Sequence, residues 1–210
     1  MVSWSSIDYD FRWKALHYAA KRFFSPLMIS CKEEGELTGL PSVNEQLLEP
    51  VKNTVRLCVA NETMREQACT VLWSLRDAGA MVLEHGARDV SVAPLSSLWL
   101  EEMEFKDMDR HRQYVSYALL QGGETVSCGT VLMTRPKHFL FEDPKLAVRV
   151  EGEEVIVTAQ AYARSVFLDS ADGRMKLTDN WFDMDAGEKR VRILEGGHAG
   201  ITARSVFDIA

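Results

Sequence analysis

The sequence has few of the residues that build disulfide-stabilised domains or metal sites. Its four cysteines, Cys31, Cys58, Cys69 and Cys128, are scattered through 210 residues and form no CxxC motif. Strand alternation puts Cys58 opposite its apolar neighbours, whereas Cys69 shares a face with Val71, so we expect four reduced cysteines that pack as small apolar side chains. The five histidines are also far apart, and none has zinc-site spacing to another ligand. The sequence therefore predicts neither a metal nor a cofactor.

Long apolar runs and an excess of positive charge are absent as well. No run approaches the roughly 20 apolar residues of a membrane helix, and the first residues do not resemble a signal peptide. The net charge of −7 argues against a nucleic-acid surface, because binding phosphates requires clustered Lys and Arg. We therefore expect neither a membrane nor a nucleic acid as partner, and the remaining composition is that of a soluble globular protein.

Catalytic motifs are missing too. There is no Gly-rich loop between a strand and a helix, no GxSxG and no locally supported Cys-His pair. Glycoside hydrolysis needs only two carboxylates about 5 to 10 Å apart, but the adjacent pairs at 101–102 and 153–154 point to opposite faces of a strand and indicate solvated strand edges. Residues 183–188 faintly resemble a calcium loop, but they lack the twelve-residue pattern and indicate an acidic turn. We predict no catalytic residue.

What the chain does have is one amphipathic helix near its start, within residues 3–24. We expect Asp10 to be its N-cap and Pro26 to end it. The apolar groups that repeat at helical spacing are Trp13, Leu16, Ala20 and either Phe23 or Phe24. A helix of about four turns cannot bury so aromatic a stripe by itself, so it needs a neighbour.

From Pro26 onward the apolar period changes from 3.6 to 2. The candidate strands lie at 27–32, 54–60, 67–76, 95–105, 112–120 and 124–133, and Gly, Pro, Asn and Asp separate them. Six or seven antiparallel strands predict an immunoglobulin-like β-sandwich. Trp73 is in phase with Val71 and Leu75 and is our candidate for a core tryptophan.

A boundary follows, between Pro136 and Pro144, and a second set of strands begins after it. These strands are predicted at 145–151, 154–161, 164–169, 175–178, 189–194 and 204–207. The predicted fold class is mostly β, with two immunoglobulin-like β-sandwiches preceded by one α-helix. The predicted domains are residues 1–25, 26–143 and 144–210, and the last is small enough to be marginally stable alone.

Trp99 is a separate candidate. Leu98 and Leu100 share one face of their strand, so Trp99 points to the other face with Glu101. An exposed tryptophan of this kind can contact another domain or serve as a stacking platform for a sugar ring. We favour the interdomain contact and keep the sugar platform as the alternative. An inner-face position stays open if a bulge shifts the phase.

Both ends of the chain resemble the β-mannosidases of glycoside hydrolase family 2. SWSSIDY followed by RWKALHYAAKRFF is similar to the end of the catalytic barrel in that family, and the matching residues are Ser3, Trp4, Ser5, Ile7, Asp8, Tyr9, Trp13, Lys14, Ala15, Leu16, His17 and Tyr18. The sequence Asp-Asn-Trp-Phe-Asp at 179–183, closed by Gly-Glu-Lys-Arg at 187–190, resembles the family's C-terminal immunoglobulin-like domain.

The resemblance implies that residues 1–25 are the last loop and helix of a (β/α)8 barrel, with Trp4 in the loop that faces the active-site mouth. A barrel needs all eight strands, so we expect the helix to pack on the first sandwich in place of the missing barrel. In this family both catalytic glutamates lie upstream of the matching segment. No residue of this chain inherits either role.

The expected function is therefore that of the non-catalytic C-terminal portion of a retaining glycosidase that acts on terminal β-mannosides. Its partners would be the catalytic barrel of the same chain and, through it, a carbohydrate substrate. The alternative is a carbohydrate-binding sandwich with Trp99 as the platform. Related family members act on β-galactosides and β-glucuronides, and any targeting signal would precede these residues, so we assign neither the exact sugar nor a compartment.

Overall fold

Strands make up most of the chain in the computed structural model, which describes residues 5–33, 52–197 and 199–209. The described residues contain the α-helix α1 (Ala15–Phe23) and two 3-10 helices, Pro136–His138 and Val206–Ile209. The strands are β1 (Leu27–Glu33), β2 (Thr54–Asn61), β3 (Gln67–Asp77), β4 (Val82–Val92), β5 (Ser96–Trp99), β6 (Met103–Glu104), β7 (Gln113–Gln121), β8 (Glu124–Leu132), β9 (Ala147–Glu151), β10 (Glu154–Ala159), β11 (Ala163–Asp169), β12 (Lys176–Leu177), β13 (Phe182–Met184), β14 (Gly187–Glu195) and β15 (Thr202–Arg204). The predicted mostly-β fold class is confirmed.

The chain divides into two compact units that do not follow its order. Residues up to 24 form one unit with the residues from 141 onward, which we call the helix-containing unit. Residues 25–140 form the other, the middle unit. The N-terminal helix therefore shares a unit with the far end of the chain.

The middle unit is a sandwich of two antiparallel sheets. One sheet has the order β1-β2-β5, with β6 also pairing with β2, and the other has the order β4-β3-β7-β8. The apolar faces of the alternating strands meet between the sheets, where Leu57, Val59, Val71 and Leu119 are fully buried. Alternation of period two thus produces the core, as the sequence predicted.

One row of this sandwich runs across all four strands of the second sheet. Trp73 pairs with Gly86 on one side and with Tyr117 on the other, and Tyr117 pairs with Gly129. A Cβ at Gly86 would lie 2.6 Å from the Trp73 indole, and one at Gly129 would lie 2.5 Å from the Tyr117 hydroxyl. The glycines therefore leave room for the two rings, and Trp73 packs against the core as predicted.

The helix-containing unit is a second, smaller sandwich. Its sheets have the orders β12-β14-β10-β9 and β13-β11-β15. Fully buried aliphatic side chains from both sheets, including Val155, Val157, Val166 and Leu177, form one core. The helix contributes Tyr18 to the same core.

The outer face of this unit carries a network of ion pairs. Arg149 and Arg190 flank Ile156 in the register of β9, β10 and β14. Both arginines pair with Glu151 and Glu188, at nitrogen–oxygen distances of 2.7 to 3.4 Å. The hydrogen bonds from Arg149, more than any other interaction, lower the pKa of both carboxyls. Ile156 is fully buried beneath these side chains.

Two strands were not predicted. The longer is β4, an edge strand of 11 residues whose side chains are mostly exposed, with Val82 at 43% and Leu83 at 44%. The other is the short strand β13. The strand predicted at 204–207 is wrong in part, because β15 ends at Arg204 and a 3-10 helix begins at Val206.

Candidate functional site

A tight turn precedes the helix, and Asp8 closes it. Its Oδ1 accepts hydrogen bonds from the backbone N–H groups of Asp10 and Arg12, both at 2.9 Å. Between them Phe11 has a φ of 60°, in the left-handed region that side chains disfavour. The predicted N-cap at Asp10 is therefore wrong. The helix begins four residues later, with Lys14 at the cap position and no side-chain cap.

The inner face of the helix is built around Tyr18. Its side chain is only 2% exposed and lies in the core of the helix-containing unit. Its hydroxyl accepts a hydrogen bond from the N–H of Leu177 at 3.4 Å, and its ring meets that of Trp13 edge-on at 5.7 Å. Burial raises the pKa of the Tyr18 phenol. Our expectation that the helix packs on the first sandwich is wrong, because its aromatic anchor is in the second.

Two cations at the C-terminal end of the helix hold the segment 178–181. Lys21 donates to the carbonyl of Thr178 at 2.7 Å. Arg22 donates to the Asp179 carboxylate at 2.5 Å and to the carbonyls of Asn180 and Trp181 at 3.0 Å each. The helix motif and the Asp-Asn-Trp motif, which are 157 residues apart in sequence, thus contact each other directly.

The segment that receives Arg22 is itself fixed to two strands. Asn180 is 3% exposed, and its side-chain amide exchanges two hydrogen bonds of 2.9 Å with the backbone of Leu168 in β11. Asp179 also accepts from Lys189 of β14 at 3.0 Å. The ring of Trp181 stacks on Phe167 at 4.3 Å. The helix is therefore held by a rigid part of the sandwich, which we call the helix clamp (residues 177–181).

The outer face of the helix is apolar and exposed. Leu16 and Phe23 are 50% and 49% exposed, and Phe24, just past the helix, is 76% exposed. With the half-buried Ala20 they form most of the stripe that the sequence predicted to be buried. In the turn before the helix, Tyr9 is 90% exposed as well. The helix thus has one face in the sandwich core and an opposite face that is uncovered.

Trp4, predicted at the substrate mouth, lies outside the described residues. Trp99 is 46% exposed on β5, so the inner-face position is excluded. Arg56, which the sequence reasoning missed, places its guanidinium carbon 5.4 Å from the centre of the Trp99 ring. The pairing of β2 with β5 brings these two side chains together. Alternation along β2 shows which face Arg56 is on, but the contact with Trp99 could be predicted only if the register of the two strands were known.

Three carboxylates considered in the sequence analysis take part in ion pairs or backbone hydrogen bonds. Glu153 and Glu154 pair with Arg192 and Arg190 at 3.3 and 3.1 Å. Asp183 accepts from the N–H of Ser165 at 2.8 Å. It lies in β13 and Glu188 lies in β14, so the acidic turn predicted at 183–188 is wrong in part. Among the described residues no group of three or more His, Cys, Asp or Glu side chains could hold a metal ion.

The two buried cysteines also lack the environment of a nucleophile. Burial raises the pKa of the Cys58 and Cys69 thiols, so less of each is present as reactive thiolate at neutral pH. No helix in the described part of the chain is both long and apolar enough to cross a membrane.

Family models match both sandwiches. Residues 53–138 match the Mannosidase Ig/CBM-like domain, and residues 141–207 match an Ig-fold domain. These matches agree with the predicted fold class of immunoglobulin-like β-sandwiches.

Individual relatives agree with these matches. The chain is 26% identical over 204 residues to β-mannosidase A of Aspergillus terreus, covering 90% of this chain and 21% of the relative. A stretch of 58 residues is 41% identical to the β-mannosidase of Rattus norvegicus, covering 26% of this chain and 6% of that protein. The chain therefore spans only about a fifth of the length of the fungal relative.

Solved structures show the same fold. The β-D-mannosidase of Dictyoglomus thermophilum superposes with a TM-score of 0.74 at 14% identity, covering 96% of this chain and 24% of that one. The exo-chitosanase of Amycolatopsis orientalis superposes with a TM-score of 0.58 at 12% identity, covering 96% and 29%. In each case the chain corresponds to a minor part of a longer glycosidase.

Proposed function

We propose, on the premise that this chain belongs to the C-terminal β-sandwich region of the β-mannosidases of glycoside hydrolase family 2, that it is the non-catalytic, supporting portion of a longer enzyme. That enzyme would hydrolyse terminal β-mannosides with retention of configuration. Its catalytic barrel would be the partner of the surface described above, and the carbohydrate would be bound through the barrel.

The two faces of α1 carry this proposal. A helix that belonged only to the sandwich would bury its apolar stripe there, because exposed apolar area is costly. Here the sandwich takes Tyr18 and binds the cationic end, while Leu16 and Phe23 remain half-exposed. The outer face is suited to a contact with a second apolar surface. Because the helix resembles the last helix of the catalytic barrel, that surface would be the barrel.

In this proposal the C-terminal domain fixes the angle and depth of the last barrel helix. Arg22 has three acceptors on the helix clamp, so a rotation of the helix would break several hydrogen bonds at once. In a (β/α)8 barrel the loop before a helix lies at the catalytic face. Holding the helix would thereby hold the preceding turn, with Tyr9, at the mouth of the barrel.

The first test is enzymatic. We expect no hydrolysis of an aryl β-mannoside by the purified chain, since in the family that it resembles both catalytic glutamates lie upstream of the matching segment. Turnover above background that is abolished by changing a carboxylate of this chain would overturn the proposal.

The second test compares two exposed leucines in this chain and in the longer enzyme. Leu16 on α1 is 50% exposed and Leu194 on β14 is 52% exposed, so each leucine→serine substitution should have little effect on unfolding of the chain alone. In the longer enzyme Leu16→Ser should shorten the half-life of activity on heating, whereas Leu194→Ser should not. Equal half-lives for the two variants would contradict a barrel contact at the outer face.

A further inference from the structure

Trp99 faces solvent on the side of its sheet that is opposite the core. It is the last residue of β5, at the edge of the sheet, and it pairs with Cys58 of β2, which pairs with Ser30 of β1. The neighbours of Cys58 in β2, Leu57 and Val59, point the other way and are fully buried. The indole is therefore carried by a rigid sheet with nearly half of its surface in contact with solvent.

Arg56 holds this ring in a fixed environment. It lies two residues before Cys58 on the same face of β2, and its guanidinium is over the Trp99 ring. Its Nε donates to the carbonyl of Leu100 at 3.0 Å, which anchors the group. Because a guanidinium has five N–H donors, it brings hydrogen-bonding capacity to one face of the indole and leaves the other face for stacking.

Apart from Cys58, the residues next to Trp99 on this face are polar. Ser97 lies two residues earlier on the same face of β5, and Lys32 is opposite Arg56 in the register of β1 and β2. A domain contact is typically a continuous apolar area of several hundred Å². A single ring among hydroxyls and cations instead matches a small ligand with one apolar face and many hydroxyls.

We propose that Trp99 and Arg56 form a carbohydrate-binding site, in which the indole stacks on the C–H face of a hexopyranose unit of a β-linked oligosaccharide. Arg56 and Ser97 donate hydrogen bonds to its hydroxyl groups. This site is independent of the supporting role proposed above, since it needs neither the barrel nor hydrolysis. With a single platform the dissociation constant is on the order of 1 mM.

The test is a titration of the chain with β-1,4-mannotetraose and, separately, with cellotetraose, followed by the NMR signals of the indole N–H groups in the unsubstituted chain and of the backbone N–H groups of β2 and β5 in every variant. We expect a saturable shift of the Trp99 signal with at least one of the two sugars. Trp99→Ala should weaken binding by about 10- to 100-fold, the range found when an aromatic platform that stacks on a nucleobase is replaced, and Trp99→Phe should retain part of the affinity. Arg56→Ala should weaken binding several-fold.

Met81→Ala is the matched control, because Met81 is 62% exposed in the turn between β3 and β4, on the other sheet of the same unit, so its loss should leave the titration unchanged. Thermal unfolding of each variant shows that the fold is kept. No saturable shift with either sugar at concentrations of about 20 mM, well above the expected constant, would overturn the site. Binding that survives Trp99→Ala would overturn it as well, and protection of Trp99 only in the longer enzyme would assign the ring to a domain contact instead.

Discussion

Replacing Tyr18 tests whether the helix is part of the C-terminal domain. The ring is 2% exposed and lies among the aliphatic side chains of the second core, so Tyr18→Ala removes a buried aromatic group and leaves a cavity. Such changes cost about 3 to 5 kcal/mol. A small domain has a free energy of unfolding of about 5 kcal/mol or less, so the helix-containing unit should lose most of its stability.

A second variant separates packing from hydrogen bonding. Tyr18→Phe keeps the ring and removes only the hydroxyl, whose hydrogen bond to the Leu177 N–H is long at 3.4 Å. We expect a cost of about 1 kcal/mol or less. Leu16→Ala, on the exposed face of the same helix, should cost no more than about 0.5 kcal/mol and controls for changes in helix propensity.

Hydrogen exchange is the appropriate measurement, because the chain has two units that can unfold separately. In Tyr18→Ala the amides of β10, β11 and β14 should lose protection, whereas those of β3 and β7 in the middle unit should keep it. A loss below about 1 kcal/mol, with protection of β10 unchanged, would refute the argument that Tyr18 anchors the helix in this core.

Two further predictions concern other parts of the fold. Gly86→Ala should destabilise the middle unit by about 1 to 3 kcal/mol in denaturant unfolding, because the new methyl group would overlap the Trp73 indole. The folded-state pKa values of Glu151 and Glu188 are lowered, chiefly by Arg149, so their contribution to stability is present above their unfolded pKa of about 4.5. This stabilising contribution is lost as the pH falls through the lowered pKa values. The melting temperature of the helix-containing unit should therefore decrease over the same pH range.

The glycine substitution and the acid dependence each have a control variant. At Gly197 a new methyl group would meet only the Asp172 carboxylate, at 3.8 Å, so Gly197→Ala should be nearly neutral, and equal effects at both glycines would argue against the overlap. Arg149→Ala should reduce the acid dependence of the melting temperature. An unchanged pH profile in that variant would show that the ion pairs do not carry the effect.

Strands that alternate in hydrophobicity were predictable, and those that do not were missed. In β2 and β3 the apolar positions match the faces that point into the core, so the sequence pattern alone is sufficient to predict these strands. In β4 the sequence VLEHGARDVSV contains a glycine and several charges, and most of its side chains are exposed. Such an edge strand forms because β3 offers it a full ladder of hydrogen bonds, and that partner is not visible in the local sequence.

The helix shows a different limit of prediction from a hydrophobicity pattern. The apolar pattern places Trp13, Leu16, Ala20 and either Phe23 or Phe24 on one stripe. Of these Trp13 packs against the core, and the sandwich otherwise buries Tyr18 and binds Arg22. Tyrosine and arginine combine an apolar body with a polar end, so a hydrophobicity pattern undervalues them at a contact that is rich in backbone acceptors. The resemblance marked the motif at Asp179–Asn180 as characteristic, but only the structure reveals that it binds the helix.

The clamp on α1 also sets an order of folding. Its partners are about 157 residues apart, so a chain that emerges from the ribosome presents the helix long before residues 177–181 exist. The middle sandwich, which is complete by residue 140, can fold in the meantime, while Tyr18 is still without the core that buries it. Closing so long a loop is easier once its interior is already compact. We therefore expect the last sandwich to be the last part of the chain to reach its native state.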